Sequence, residues 1–282
     1  MQTNKTMKAA AKNKNDEFYT QYVDIEKCVG ELKSQLRGKN IYCPCDDPRW
    51  SNFWKYFHEH FAEIGLNKLV ASFKPLEGSE SFVMSYYGGN DADTYVGSVK
   101  PLIGDGDFRN IEMEPFFAEC DIVITNPPFS LFRAFVERIF MHNKDFVLIG
   151  NHNACSYNSI FGYCRDGYIK PFCCNADGLK FKNGDKITKI SAAWFTTLSV
   201  NEPPPMKLSN KSISDFKLID DTDIINIDCY RDIPDNYFGP IAVPVTVIYK
   251  LNSSQFKLID MIKNPKVGGK NIFTRFVIRR VV

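Results

Sequence analysis

A hydrophobic strand, an amphipathic helix and a second hydrophobic strand follow one another within residues 41–73, and this order constrains the fold more than any other feature of the sequence. The first apolar run, residues 41–43, ends at Pro44. Ser51 is placed to cap a helix whose apolar residues recur at helical spacing as far as Gly65. Residues 68–73 then form the next strand. Strand, helix and strand at this spacing form a βαβ unit, which predicts a parallel sheet.

The rest of the chain extends this α/β pattern. Two further buried strands are separated by a helix that Ser130 is predicted to cap, and an antiparallel hairpin is predicted at one edge of the sheet. Glu202-Pro203-Pro204-Pro205 is the best linker candidate, which predicts one domain over residues 1–200 and a small C-terminal region over residues 201–282. The predicted segments are a hairpin over residues 81–87 and 94–99, strands over 120–124 and 146–150, the edge hairpin over 179–182 and 187–198, and C-terminal strands over 243–249 and 273–282.

The composition is that of a globular protein inside the cell. Apolar residues make up 44% and charged residues 24% of the 282 residues, which excludes wholesale disorder. No run approaches the roughly 18 consecutive apolar residues that a membrane helix needs. Residues 1–14 lack the apolar core of a secretion signal. We therefore expect a cytoplasmic protein with no membrane partner.

The nine cysteines are predicted to be reduced thiols, because their number is odd and no C-x-x-C pair occurs. The alternative is a zinc site, but structural zinc sites usually show paired ligands at short spacing. We expect no metal. The residues of that alternative site are His152, Cys155, Cys164 and Cys173.

Positive charge is concentrated at the two ends of the chain. Residues 1–14 carry four basic residues and residues 261–282 carry six, with no acidic residue in either segment. Since the formal net charge is only +2, the residues between them carry −8. Basic ends on an acidic body fit contact with a polyanion. The alternative is a solvated tail and a terminal patch that aids solubility.

Asn126-Pro127-Pro128-Phe129 is the sharpest local signal. It directly follows a predicted strand, and open α/β sheets bind ligands at the carboxyl ends of their strands. Pro128 forces Pro127 into an extended backbone and neither proline offers an N–H, so the Pro127 carbonyl and the Asn126 side chain can both accept hydrogen bonds in a cleft. Two acceptors followed by an aromatic ring fit a flat heterocycle with an amino group. The alternative is a strand-ending turn with a core phenylalanine.

Four blocks of the sequence, in this order, resemble the EcoRI-type adenine-specific DNA methyltransferases. The resemblance is densest over residues 15–200 and continues weakly to the C-terminus. It implies a Rossmann-like methyltransferase sheet that uses S-adenosylmethionine to methylate the 6-amino group of a flipped adenine in a specific DNA sequence, as in restriction–modification. The blocks are Asn15-Asp16-Glu17-Phe18-Tyr19-Thr20-Gln21, Tyr42-Cys43-Pro44-Cys45-Asp46-Asp47-Pro48 with Ser51-Asn52-Phe53, Gly104-Asp105-Gly106-Asp107-Phe108-Arg109, and Asn126-Pro127-Pro128-Phe129.

The resemblance also implies residues that bind the cofactor. The N-terminal block is expected near its methionine part, and a carboxylate after the first strand is expected to bind its amino acid portion, with no preference between Asp46 and Asp47. Asp46 could instead cap the following helix, and Asp107 could hold a tight turn. The ribose-binding residue is unassigned, with Glu77 as an unsupported candidate. The expected cofactor-binding residues are Phe18, Tyr19, Thr20, Asp46, Asp47, Asp107, which accepts from the adenine amino group, and Phe108, which packs on that ring.

The expected catalytic residues are Asn126, Pro127, Pro128 and Phe129. Duplex DNA is the expected partner, with a cognate restriction endonuclease acting separately, and a monomer is favoured over an obligate oligomer. An RNA or protein-amide methyltransferase of the same fold and a catalytically inactive DNA-binding relative are the alternatives. The cations expected to contact phosphate are Lys266, Lys270, Arg275, Arg279 and Arg280.

Overall fold

The structure is a computed structural model that describes residues 19–75, 80–173, 179–183 and 186–281. The chain forms two compact units. The first unit contains the described residues up to Asn151 together with Phe172–Val200. The second contains His152–Pro171 together with Asn201–Val282. The segment His152–Pro171 therefore joins the C-terminal region, although it lies within the range that the sequence assigns to the first domain.

The described residues form seventeen strands and seven α-helices. The helices are α1 (Tyr22–Gly30), α2 (Lys33–Leu36), α3 (Asn52–Glu59), α4 (Phe61–Ile64), α5 (Glu114–Glu119), α6 (Phe132–Met141) and α7 (Asn158–Arg165). The strands are β1 (Tyr19–Thr20), β2 (Asn40–Cys43), β3 (Lys68–Ser72), β4 (Phe82–Tyr86), β5 (Ser98–Pro101), β6 (Ile122–Thr125), β7 (Asp145–Asn151), β8 (Lys170–Phe172), β9 (Leu179–Asn183), β10 (Lys186–Ile190), β11 (Ala192–Thr196), β12 (Ile225–Asn226), β13 (Ile241–Pro244), β14 (Phe256–Ile262), β15 (Lys266–Val267), β16 (Lys270–Asn271) and β17 (Arg275–Arg280).

An eight-stranded sheet forms the centre of the first unit, in the order β5-β4-β3-β2-β6-β7-β11-β8. The four central strands β3, β2, β6 and β7 pair in parallel. β4 and β5 continue antiparallel at one edge, and β11 pairs antiparallel with β7 towards the other. This confirms the predicted α/β fold with a mostly parallel sheet. The strand order reverses at β2, and such a reversal leaves a crevice at the carboxyl ends of the strands.

Helices cover both faces of this sheet. Tyr42 of β2 packs against Phe117 of α5, with ring centroids 5.2 Å apart. Its neighbours Ile41 and Cys43 belong to the opposite core, which is built from α1, α3 and β11 and contains Trp54. Successive strand residues point to opposite faces, so a strand that is buried on both faces reads as a continuous apolar run.

Of the two helix caps predicted from the sequence, one is confirmed and one is wrong. The Ser51 side chain accepts hydrogen bonds from the backbone N–H groups of Phe53 and Trp54, which confirms it as the N-cap of α3. Ser130 is not the N-cap of α6, because a short 3-10 helix precedes this helix and Leu131 takes that position.

The hairpin predicted at residues 179–198 is partly wrong. β9 and β10 do form a hairpin, whose turn lies outside the described residues, but β9 pairs with β1, and the three strands form a separate sheet. β11 alone joins the central sheet. Because β1 consists of Tyr19 and Thr20, this small sheet places the described end of the N-terminal block beside β9.

The second unit contains a four-stranded sheet in the order β12-β13-β17-β14. Phe161 of α7 packs on Phe276 of β17, with ring centroids 5.6 Å apart. The strand predicted over residues 243–249 is wrong beyond Pro244, because Val245–Lys250 forms a 3-10 helix. No helix in the described part of the chain is long and apolar enough to cross a membrane.

Cys28 and Cys173 form a disulfide bond, which corrects the prediction that all thiols are reduced. The fold brings their Cα atoms to 5.6 Å, within the range that a disulfide can bridge. It also removes Cys173 from the alternative zinc site, and the described residues contain no cluster of three or more potential metal ligands.

Candidate active site

A cavity of about 240 Å³ opens where the carboxyl ends of β2, β3 and β6 meet. It lies in the crevice that the strand order predicts. Several residues that the sequence singled out line this cavity, although they come from four separate stretches of chain. They are Thr20, Asp46, Asp47, Asp107, Phe108, Asn126 and Pro128.

Asp46 is a buried carboxylate at the end of β2. It accepts hydrogen bonds from the hydroxyl groups of Ser51, at 2.7 Å, and Thr125, at 2.5 Å. Burial raises the pKa of Asp46 to about 6; the two hydroxyl donors act in the opposite direction, and the neighbouring Asp47 raises it further. Asp46 has no cationic partner in the described part of the chain, so its negative charge is uncompensated. A buried carboxylate in this state favours a cationic ligand.

Asp47 is also buried, but its charge is compensated. The side chain of Arg49 donates to both of its oxygens, from Nε to Oδ1 at 2.9 Å and from Nη2 to Oδ2 at 2.5 Å. The guanidinium lies over the rings of Trp50 and Phe73, at 4.6 and 5.1 Å from their centroids. A bidentate ion pair with stacked rings holds Arg49 in one orientation at the cavity wall.

Asp107 lies at the end of the cavity that is formed by Lys74, after β3, and by the turn after β5. Arg109 donates to it from Nε at 2.8 Å and from Nη2 at 2.6 Å, and Lys74 Nζ lies 3.1 Å away. The Arg109 hydrogen bonds hold the pKa of Asp107 well below its usual range, with Lys74 contributing, so the group is an acceptor at all ordinary pH values. The ring of Phe108 beside it packs against Phe135, with centroids 4.6 Å apart.

The turn at Gly106 shapes this end of the cavity. Gly106 has φ +71°, and a Cβ there would lie 2.1 Å from the backbone oxygen of Phe73. The turn that carries Asp107 therefore approaches the end of β3 more closely than any other residue type allows.

The Asn126-Pro127-Pro128-Phe129 turn begins directly after β6, as the sequence predicts. Asn126 and Pro128 line the cavity, and Pro127 between them is buried. Phe129 is partly buried and its ring lies edge-on to Phe181, at 6.3 Å between centroids. The turn is therefore open to the cavity on one side and anchored in the core on the other.

The N-terminal block is described only in part. Phe18 and Glu77 lie outside the described residues, and Tyr19 is described only as a backbone residue of β1. Thr20 lines the cavity, and its backbone oxygen accepts a hydrogen bond from the Asn52 side chain at 2.8 Å. The Thr20 hydroxyl is buried and has no hydrogen-bond partner among the described residues.

The sequence did not predict three residues that bind the acidic side chains of the site. Thr125 and Arg49 hold the two acidic residues at the end of β2, and Lys74 joins the Asp107 cluster. Thr125 directly precedes the Asn126 turn, and this position at a strand end was the one sequence feature that could have indicated its role. The partners of Arg49 and Lys74 depend on which chain segments meet in space, and sequence spacing does not give this.

The C-terminal cations differ in their surroundings. Lys266 and Lys270, on the β15–β16 hairpin, and Arg279 are exposed. The Arg275 side chain is only 9% exposed and pairs with Asp228. Arg280 also has partners within the second unit, donating to the Asp235 backbone oxygen and lying over the Phe238 ring.

Comparisons with known proteins match nearly the whole chain, including the residues of the cavity. The family model described as "Adenine-specific methyltransferase EcoRI" matches residues 6–170 and 170–279. The chain belongs to this EcoRI methyltransferase family. It is 34% identical to the type II methyltransferase M.EcoRI of Escherichia coli, over 98% of this chain and 97% of that protein.

Two relatives from mycoplasmas are similar at nearly the same level. The type II methyltransferase M.MpnI of Mycoplasma pneumoniae is 32% identical over 96% of this chain and 90% of its own. The type II methyltransferase M.MgeORF184P of Mycoplasma genitalium is 32% identical over 91% and 86%. No solved structure matches the chain. As a member of the EcoRI methyltransferase family, the protein is an adenine-specific DNA methyltransferase of the restriction–modification type.

Methyltransferases of this kind use S-adenosylmethionine in general, and the cavity residues fit that cofactor. Asp46 offers an uncompensated buried carboxylate to a ligand that carries an ammonium and a sulfonium charge. Asp107 offers an acceptor to an adenine amino group. The buried Thr20 hydroxyl supplies one further polar group that the described part of the protein leaves without a partner.

Proposed function

We propose that the protein transfers the methyl group of S-adenosylmethionine to the 6-amino group of an adenine that has been flipped out of duplex DNA. One observation carries this proposal. The Asn126 turn, which fits an aromatic amine, lines the same cavity as Asp46 and Asp107, whose carboxylates fit the cofactor. An adenine stacked within a duplex cannot enter such a cavity, so the base has to leave the helix.

The two ends of the cavity suit different parts of the cofactor. Asp46 binds the α-ammonium group, because its buried charge is uncompensated whereas the Asp47 charge is balanced by Arg49. Asp107 accepts a hydrogen bond from the adenine amino group, and Phe108 packs on the adenine ring. Thr20 donates its buried hydroxyl near the methionine part.

The catalytic turn holds and orients the target amine. When bound, S-adenosylmethionine supplies an electrophilic methyl group on a sulfonium. The Asn126 side-chain oxygen and the Pro127 carbonyl accept the two amine hydrogens, which draws the nitrogen lone pair out of ring conjugation and makes it nucleophilic. Phe129 stacks on the flipped base. The proton leaves after methylation, so no general base is required before attack, and positioning supplies most of the catalysis.

DNA phosphates are bound by the exposed cations Lys266, Lys270 and Arg279 of the second unit. Such contacts position a duplex without reading its sequence. Arg275 is left out of this group, because its guanidinium is occupied by Asp228 and by the Asn226 side chain at 2.9 Å. Arg280 is left out because it lies against Asp235 and Phe238.

The decisive experiment replaces Asn126 by alanine. Asn126→Ala is expected to abolish methyl transfer to duplex DNA while S-adenosylmethionine binding, measured by calorimetry, stays near the wild-type value. Asn67→Ala is the matched control, since Asn67 is an exposed residue outside the cavity lining whose side chain donates to the Gly38 backbone oxygen. Unimpaired methyl transfer in Asn126→Ala would refute the proposed role of the turn.

A second experiment identifies the acceptor. Tritiated methyl transfer is measured with DNA, RNA and protein pools, followed by nuclease digestion. Label is expected in DNA as N6-methyladenine, and label confined to RNA or protein would favour the other methyltransferase classes. We also propose that the protein acts as a monomer, with a cognate endonuclease acting separately; light scattering of the free protein tests the first point.

A further inference from the structure

The ribose of the cofactor lacks an obvious partner at the position where α/β folds usually provide one. In such folds an acidic residue near the end of the second strand binds the ribose hydroxyl groups. Here the corresponding strand, β3, is followed by Phe73 and Lys74. Lys74 is a cation, and it is already bonded to Asp105 and Asp107. The ribose therefore needs another acceptor.

Contacts along the cavity wall locate the region between the two ends of the cofactor site. Asp46 follows β2, and Asp107 is bonded to Lys74, which follows β3. Between them, Asp47 is joined to Arg49, and Arg49 lies 5.1 Å from the Phe73 ring. Lys74, the next residue, bonds to Asp107 at 3.1 Å. The Asp47–Arg49 pair is thus connected by contacts to both carboxylates, as the ribose connects the amino acid part and the adenine of S-adenosylmethionine.

The charge state of Asp47 suits neutral hydroxyl groups. Its Oδ1 accepts from the Arg49 backbone N–H at 3.0 Å and from Nε at 2.9 Å, which uses both acceptor positions of that oxygen. Its Oδ2 accepts from Nη2 at 2.5 Å and shares Nε only at 3.2 Å. A carboxylate oxygen accepts two hydrogen bonds, and the longer of these two contacts, from an Nε–H that Oδ1 already receives at 2.9 Å, is the one that a ribose hydroxyl can replace. Because Arg49 balances the charge, binding a neutral group leaves no net charge unpaired.

Trp50 adds a wall beside this pair. Its side chain lines the cavity and is 55% exposed, with the Arg49 guanidinium 4.6 Å from its ring centroid. A large exposed indole next to an ordered ion pair offers a flat apolar surface for the carbon face of a sugar or for part of a purine.

We propose that Asp47, held by Arg49, accepts a hydrogen bond from a hydroxyl group of the cofactor ribose, and that Trp50 covers the adenosine portion. This inference rests on the proposed use of S-adenosylmethionine and adds a subsite to it. The acidic ribose partner has moved from the end of β3 to the loop after β2. The arginine that fixes it in place sits two residues further on in the same loop.

The test compares adenosine with 2′,3′-dideoxyadenosine, which lacks both hydroxyl groups. Each nucleoside displaces labelled S-adenosylmethionine from the full-length protein. The wild-type protein is expected to prefer adenosine by at least about tenfold, the ratio that one charge-assisted hydrogen bond gives. Asp47→Asn is expected to reduce this ratio towards one. A wild-type ratio of one, or an unchanged ratio in Asp47→Asn, overturns the inference.

Two control variants separate this subsite from its neighbours. Asp105→Asn alters an acid that bonds to Lys74 but does not line the cavity, so its ratio is expected to equal that of the wild type. Asp46→Asn is expected to weaken S-adenosylmethionine binding without changing the nucleoside ratio. A changed ratio in Asp105→Asn would place the ribose at Asp105 and contradict the assignment.

Fluorescence provides a second measurement on the unmodified protein. Trp54 and Trp194 are fully buried, so Trp50 is the one exposed tryptophan of the three in the chain. Adenosine is expected to change its emission, whereas methionine is not, and Trp50→Phe is expected to remove the response. A response to methionine alone overturns the placement of Trp50. If DNA is methylated but the nucleoside ratio is one, this inference fails while the proposed function stands; if S-adenosylmethionine does not bind, both fail.

Discussion

The Thr125 hydroxyl donates a hydrogen bond of 2.5 Å to the buried carboxylate of Asp46. Thr125 is the last residue of β6 and immediately precedes Asn126, whereas Asp46 follows β2. One hydrogen bond therefore ties the carboxylate proposed to bind the cofactor ammonium to the strand end that carries the catalytic turn. A change at either residue is expected to alter both cofactor binding and the position of the turn.

The affinity for S-adenosylmethionine is expected to rise as the pH increases through about 6. Burial raises the pKa of Asp46 to about 6, and only the ionised carboxylate attracts an ammonium group. Below that value the affinity falls by up to tenfold per pH unit. Thr125→Val removes a hydroxyl donor to the carboxylate and is expected to move the midpoint to higher pH. Calorimetry between pH 5 and pH 8 measures both effects.

Adenosine is the control ligand for this pH dependence, because it lacks the ammonium group. An equal pH dependence for adenosine would assign the titration to another residue. In the ligand-free protein, the Asp46 contribution to stability changes with pH in the opposite direction to the ligand affinity. Since the folded pKa of Asp46 lies above its unfolded value of about 4, the native state binds more protons between these values. The Asp46 contribution to the free energy of unfolding therefore falls as the pH rises from about 4 to about 6.

Gly106→Ala is expected to disrupt the cofactor cavity. A Cβ at this position would lie 2.1 Å from the Phe73 backbone oxygen, and the φ of +71° disfavours any side chain. We expect a loss of roughly 1–3 kcal/mol in stability together with weaker S-adenosylmethionine binding. Gly30→Ala is the control, because Gly30 ends helix α1 and has no atom within 4 Å of an added Cβ. Equal melting temperatures for the two variants would contradict the close approach.

Replacing Lys266 and Lys270 together by alanine is expected to flatten the salt dependence of DNA binding by about two units, since each lost phosphate contact removes about 0.9. Lys211→Ala is the control, because Lys211 is already paired with Asp232 at 2.8 Å. Binding constants measured across a salt series give the slopes. An unchanged slope in the double variant would remove both lysines from the interface.

Reduction of the Cys28–Cys173 disulfide is expected to lower stability. The bond closes a loop of 145 residues, and loss of such a crosslink costs about 5 kcal/mol in the chain-entropy description. Thermal melting with and without a reductant is expected to show a lower melting temperature for the reduced protein. The Cys28→Ser/Cys173→Ser double variant is expected to melt at one temperature in both conditions. An equal melting temperature of the wild-type protein with and without the reductant would indicate that these two cysteines are not crosslinked.

The sequence predicted the acidic residues of the site better than the basic residues that pair with them. The family resemblance singled out Asp46, Asp47 and Asp107, whereas local patterns alone also allowed a helix cap or a tight turn, and all three line the cavity. The choice between Asp46 and Asp47 depends on Arg49, whose ion pair is visible only once the loop is folded. Sequence separation hides the Cys28–Cys173 bond for the same reason.

Propensity failed where tertiary context decided the backbone. The run after Pro244 is rich in β-branched residues, yet Val245–Lys250 forms a 3-10 helix, because β13 has already completed its pairing with β17 at Pro244. The parallel centre of the sheet was predictable, because strands buried on both faces read as unbroken apolar runs.

The chain passes from one compact unit to the other after Asn151, after Pro171 and after Val200. A single cut at the proline-rich stretch would therefore exchange only part of the second unit between relatives. Helix α7 would stay with the original chain and would be separated from its own β14 and β17. A chimaera that exchanges the whole second unit needs three junctions rather than one.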